Sequence, residues 1–215
     1  MPAFIPDLSV ILAFGLASFI LAITPGPDMA LFVSRAVNYG RAHGIASLLG
    51  ANTGLVFHTT LAALGISVLI VAAPTAFMVL TIVGALYLVW LAIQAIRSGG
   101  GLTVMARAKK TPTLWQSYLT GIGINLLNPK IVLFFVTFLP QFVDRHDANA
   151  PGKLFFLGGL FILVSLPVTV AIIYGARGLV GLFARSKWFE KGLNYSFAAV
   201  FMAFAATILL AEGRR

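Results

Sequence analysis

Six long apolar runs fill this chain and leave almost no polar sequence between them. They cover residues 8–37 with one interruption, then 44–71, 75–96, 114–142 (also interrupted), 153–183 and 192–211. A bilayer-spanning helix needs about 20 mostly apolar residues, so six of them use roughly 120. Of the 215 residues, that leaves only short loops and tails. Hydrophobic residues make up 60% and charged residues 10%, against about 45–50% and about 25% in a soluble domain. Such a chain lacks the polar surface to cover a water-soluble globule, and it has no room for a soluble enzyme tethered by one anchor helix. It contains no cysteine, so it has no disulfide and no thiolate chemistry. The first residues, Met1 to Asp7, lack a basic leader region, and the first run is expected to be a permanent helix rather than a cleaved signal.

The net charge of +9 is a statement about topology before it is one about ligands. A nucleic-acid binder gathers Lys and Arg on one stripe or patch, whereas here they lie between the apolar runs, so no nucleic-acid partner is expected. Loops after the first, third and fifth runs hold Arg35, Arg41, Arg97, Arg107, Lys109, Lys110, Arg177, Arg185, Lys187 and Lys191. The opposite side holds Arg145, Lys153, Arg214 and Arg215. Ten against four places the first set in the cytoplasm and both termini outside it, although the two tail arginines run against the trend. Trp115 and Trp188 fall near the expected cytoplasmic ends, where amphipathic rings are favoured.

Two of the runs are broken in the same way. Thr24-Pro25-Gly26-Pro27-Asp28 interrupts the first, and Asn125-Leu126-Leu127-Asn128-Pro129-Lys130 interrupts the fourth. Residues 8–37 are too many for one straight span, so a broken helix is the natural form. In each break a charged residue follows a proline. The second and fifth runs are both glycine-rich. Three helices per half is an odd number, so the second half must insert upside down. The expected fold is therefore an all-α membrane protein of six transmembrane helices, built as two inverted three-helix repeats with helices 1 and 4 broken at Pro motifs. It forms one domain over residues 1–215, with repeat one at about 1–98, a basic linker at about 99–113 and repeat two at about 114–215.

Candidate functional residues gather at the breaks. Asp28 and Lys130 place opposite charges in apolar runs, where each costs at least ~2.5–3.5 kcal/mol on insertion scales. One in each break suggests a shared central site: Asp28 faces an ammonium or a proton, and Lys130 faces a carboxylate. The plain alternative is a buried salt bridge that holds the halves together. Pro25, Pro27 and Pro129 each remove a backbone donor and free a carbonyl to coordinate a ligand, and Gly26 permits close backbone approach. The amides of Asn125 and Asn128 either contact substrate or cap a helix end. Asn52 and His58, six positions apart in the second run, do not share one tight face. His58 is a proton relay or a satisfied packing residue. Gly50-x-x-x-Gly54 reads as close helix packing, and the small-residue faces of the second and fifth runs leave internal packing and a homodimer both open. The phenylalanines are packing or lipid-facing. The triple glycine at 99–101 is a linker, since no Lys-Ser/Thr follows as a phosphate loop needs. No cofactor or metal set is indicated.

These segments resemble the LysE family, the lysine-exporter or resistance-to-homoserine/threonine family. Thr24-Pro25-Gly26-Pro27-Asp28, the turn Gly40-Arg41-Ala42-His43-Gly44 and Gly50-x-x-x-Gly54 look like its first half. Asn125 to Lys130 and Phe138-Leu139-Pro140-Gln141-Phe142-Val143 look like its second half. The resemblance covers nearly the whole chain, and the two Pro motifs at this separation are its specific part. It implies export of amino acids from the bacterial cytoplasm across the inner membrane, driven by the proton gradient, with no enzymatic step. Asp28 is the only acidic residue well inside a run. A cationic side chain would want a second carboxylate, which favours a neutral substrate such as homoserine, threonine or leucine. The rival readings are a metal-cation exporter, which needs more clustered ligands than one Asp and one His, and an intramembrane enzyme, for which no motif is present.

Overall fold

A computed structural model describes residues 4–66, 73–97, 110–144, 147–185 and 187–213. Every regular element among them is helical. The first break separates α1 (Leu8–Ile23) from α2 (Pro27–Tyr39). The second run becomes α3 (Arg41–Leu61), which widens into a π-helical turn over Ala62–Ile66. The third becomes α4 (Pro74–Arg97). The second break separates α5 (Leu114–Leu126) from α6 (Pro129–Leu133), and α6 continues through a π-helical and a 3-10 turn to Phe142. The fifth run divides into α7 (Ala150–Tyr174) and α8 (Ala176–Arg185), and the sixth is α9 (Lys187–Gly213). The triple glycine at 99–101 and the tail arginines lie outside the described residues.

Both breaks bend the chain by nearly the same angle, 51° between α1 and α2 and 52° between α5 and α6. The local chemistry explains this. Proline cannot donate to the carbonyl four residues before it, so Pro25, Pro27 and Pro129 interrupt the ladder where they stand. Gly26 then caps α2 and Asn128 caps α6, each with extended backbone and a proline at the first helical position. The helix containing Arg41–Gly65 and the 25-residue α7 are long and apolar enough to cross a membrane, and each bent pair qualifies as a span when taken together. Helices α4 and α9 carry shorter apolar stretches, Thr81–Gln94 and Asn194–Ala206. Leu12, Leu16, Val56, Leu163 and other large apolar side chains face outward, as a chain solvated by lipid requires. It is a multi-pass membrane protein.

Glycine sets the closest helix pair. Helices α3 and α5 pack backbone to backbone: a Cβ on Gly50 would fall inside the Tyr118 carbonyl, and one on Gly121 inside the Ser47 carbonyl. The Ser47 hydroxyl donates to the Ser117 carbonyl across the same seam at 3.1 Å. A Cβ on Gly54 would stand 2.5 Å from Asn125 Oδ1, and Gly158 of α7 leaves room for Thr59. The glycines at 50, 54 and 158 are thus used in internal packing. Gly40, at φ 100°, makes the turn into α3.

Two apolar clusters flank the breaks. The larger is aromatic and joins α1, α6, α7 and α9: Phe14, Phe134, Phe135 and Phe138 are almost fully buried, with Phe134 5.3 Å from Phe161 and Phe138 4.4 Å from Phe204 between ring centroids. The smaller gathers Met29, Phe32 and Val33 of α2 against Leu48 and Ala51 of α3 and Ile173 of α7. The fifth run turns at Gly175, so the single helix expected over 153–183 is two. Helix α7 also starts earlier than expected, at Ala150-Pro151, behind a loop in which the Lys153 ammonium bonds the Asp147 carboxylate. That bond holds the Asp147 carboxyl below the usual carboxylate range.

Candidate functional site

The two breaks meet at a small cavity. Its polar lining is Thr24, Asp28, Asn52, Asn125, Lys130, Ser165 and Thr169. Apolar walls come from both clusters, among them Leu21, Met29, Phe32, Leu55, Ile131 and Phe161. A pocket with a few convergent polar groups on mostly apolar walls is the usual form of a small-molecule site.

Each break sends a side chain to the other. Asp28 stands in the first turn of α2, where the helix dipole favours a negative charge. Its Oδ2 accepts a hydrogen bond from Asn125 Nδ2 at 2.9 Å. Lys130 stands in the first turn of α6, where the dipole disfavours a cation, and it reaches instead to the end of α1. There Lys130 Nζ donates to the carbonyls of Thr24 at 3.0 Å and Leu21 at 3.3 Å. The Leu21 carbonyl is the one that Pro25, four residues on, leaves without a backbone donor. Gly26 makes the approach feasible, because a Cβ there would be 3.0 Å from Nζ.

The second break repeats this pattern. Pro129 deprives the Asn125 carbonyl of its helical donor. Asn128 N–H takes it up at 3.1 Å, and His58 Nε2 approaches it at 3.4 Å. A proline-freed carbonyl therefore meets a titratable side chain at both breaks, Lys130 at one and His58 at the other.

The sequence candidates separate by position. Asp28, Asn125, Lys130 and Asn52 line the cavity. Asn128 caps α6, its Oδ1 accepting from the Lys130 N–H at 3.1 Å. Pro25, Gly26, Pro27 and Pro129 form the breaks. His58 is buried behind Asn125, against the Phe135 ring, and does not line the cavity. Asp28 and Lys130 share the cavity without forming an ion pair with each other. Four side-chain atoms among the described residues are buried without a partner, and three belong to this site: Asp28 Oδ1, Asn125 Oδ1 and Asn128 Nδ2. Buried polar groups are normally satisfied, and the Asn128 amide lies beside the Asp28 carboxylate, so these atoms mark the polar centre of the site.

Sequence reasoning missed Ser165 and Thr169 as lining residues. They lie one helical turn apart on either side of Pro167, on one face of α7. That spacing around a proline is the signal that could have found them.

The chain is similar in sequence to known membrane proteins over most of its length. The LysE type translocator family model matches residues 19–212. A homoserine/homoserine lactone efflux protein of Salmonella typhimurium is 31% identical over 202 residues, covering 94% of this chain and 96% of that protein. An uncharacterized membrane protein of Vibrio cholerae is 29% identical over 211 residues, covering 96% and 99%. A leucine efflux protein of an Enterobacter strain is 25% identical over 191 residues, covering 89% and 90%. No solved structure matches. The chain belongs to the LysE type translocator family.

Proposed function

We propose that this LysE type translocator exports small neutral amino acids, of the homoserine, threonine or leucine kind, from the cytoplasm in exchange for protons. The observation that carries the reading is the meeting of two equally bent helix breaks at one cavity, with an acid and a base that form no direct ion pair. A zwitterion offers three ammonium donors and a carboxylate acceptor. In the cavity the Asp28 carboxylate and Asn125 Oδ1 are acceptors, and Lys130 is a donor. The cavity's one acidic residue and its Leu, Met, Phe and Ile walls suit an uncharged side chain. The efflux activities in the names of the Salmonella and Enterobacter relatives support the same reading.

In this account the two halves are inverted three-helix repeats in the bacterial inner membrane, with both termini on the non-cytoplasmic side. Broken helices at the interface between repeats are a common location for transporter sites. Asp28 binds the substrate ammonium and a proton in alternation, Lys130 receives the carboxylate, and His58, behind Asn125, is the next titratable group for the proton. The bends act as hinges when the halves rock about the cavity.

Purified protein in liposomes preloaded with a panel of labelled amino acids tests this. Efflux of a neutral subset, accelerated by an imposed proton gradient and at least about tenfold slower in folded Lys130→Gln, is the expected result; losing a hydrogen bond to a charged group, worth about 1.5–3 kcal/mol, sets that scale. No efflux of any amino acid by folded protein would overturn the exporter. Efflux unchanged in Lys130→Gln would make Lys130 a structural tie.

A further inference from the structure

The end of α1 presents two carbonyl oxygens to a single ammonium nitrogen. Proline chemistry makes one of them available: Pro25 has no N–H for Leu21, and Lys130 Nζ takes that carbonyl together with the one from Thr24. The last carbonyls of a helix carry partial negative charge, so the location favours a cation. The nitrogen has room because residue 26 has no side chain. Leu21, Thr24, Lys130 and Asp28 all face the same cavity, and no ion pair with Asp28 ties Lys130 where it is.

We propose that the Leu21 and Thr24 carbonyls are a primary-ammonium site, which Lys130 fills as a tethered stand-in until the amino group of a ligand displaces it. A primary ammonium has three N–H donors. Lys130 uses two of them on these carbonyls. The Asp28 carboxylate, which lines the same cavity, supplies the third acceptor to an amine that is not held by the lysine's tether. Displacement also releases Nζ to meet the ligand's carboxylate. Arrival of the ammonium and recruitment of Lys130 thus become one event, and a molecule lacking an amine leaves Lys130 in place. This rests on the zwitterion reading above, but its test needs no transport.

Lys130→Ala empties the site. Its unfolding midpoint in detergent is measured with methylammonium chloride, with tetramethylammonium chloride, which has no N–H, and with potassium chloride at equal ionic strength. Methylammonium is expected to raise the midpoint by about 2–4 °C over the other two salts in Lys130→Ala, and by less than about 1 °C in the wild type, since a ligand stabilises only the state that has a vacant site for it. If Lys130→Ala does not fold alone, the same site predicts recovery of a monodisperse peak when it is purified in methylammonium and not in tetramethylammonium. Equal midpoints in all three salts, or failure to recover in any of them, overturns the proposal. An ammonium effect without amino-acid efflux would keep the site and remove the exporter; efflux without an ammonium effect would do the reverse.

Discussion

Asp28→Asn is expected to slow amino-acid efflux by about tenfold to 150-fold, the equivalent of a hydrogen bond to a charged group at about 1.5–3 kcal/mol. The substitution keeps the shape of the side chain and an oxygen for Asn125 Nδ2, which now bonds Asp28 Oδ2 at 2.9 Å. The folded cavity should therefore survive, and a normal elution profile and melting curve in detergent would show it. What disappears is the charge that faces an ammonium and the group that can carry a proton. The residual efflux is accordingly expected to ignore an imposed pH gradient. Wild-type gradient dependence in folded Asp28→Asn would move proton coupling to another group, with His58 the first to test. Wild-type rates as well would remove Asp28 from the site.

Gly50→Val is expected to be the most disruptive single change in the packed helices, costing at least about 3 kcal/mol, the upper end for overpacking a core. The obstacle is main chain rather than a side chain that can swing away: the added carbons would overlap the Tyr118 carbonyl on α5. Helices α3 and α5 would have to separate along the seam that holds Asn125 beside Gly54, so the site should fail together with the fold. The expected observation is a collapsed yield of monodisperse protein, or a melting point lower by many degrees. Gly123→Ala is the control on α5. Nothing lies within 4 Å of a Cβ there, and replacing an exposed helical glycine by alanine is expected to gain about 0.5–1 kcal/mol. Equal behaviour of the two variants would show that glycine spacing does not set this interface.

The parts of the molecule legible in its sequence are those decided within a few residues. Both helix breaks were readable because a missing proline N–H is a local fact, and Asp28 and Lys130 stood out because charge in an apolar run is costly. What could not be read was which carbonyl each titratable group would find. Opposite charges suggest a mutual pair, yet Lys130 bonds Leu21 and Thr24 and Asp28 bonds Asn125. That choice depends on how the two bends cross, and no sequence spacing encodes it. His58 meets the Asn125 carbonyl for the same non-local reason. The turn at Gly175 was hidden because the apolar run continues through it. The residues of α8 remain apolar enough to prolong a span on paper, but they form a separate helix after the turn. A lining role for Ser165 and Thr169 is not legible in the sequence because hydroxyls in a membrane helix commonly bond their own backbone, as Thr169 does to the Ser165 carbonyl at 2.9 Å.

In the proposed function, one cavity between the breaks recognises both ends of an amino acid. The most direct measurement of this is equilibrium binding of a labelled amino acid, chosen from those exported, to detergent-solubilised protein, in competition with two analogues. One analogue lacks the amine and the other carries an amide in place of the carboxylate. The account predicts that each competes at least about tenfold more weakly than the parent, the minimum expected when a buried charged partner is left unmet. Competition by either analogue as strong as by the parent amino acid would contradict it, because the charge at that end would then have no counterpart between Asp28 and Lys130.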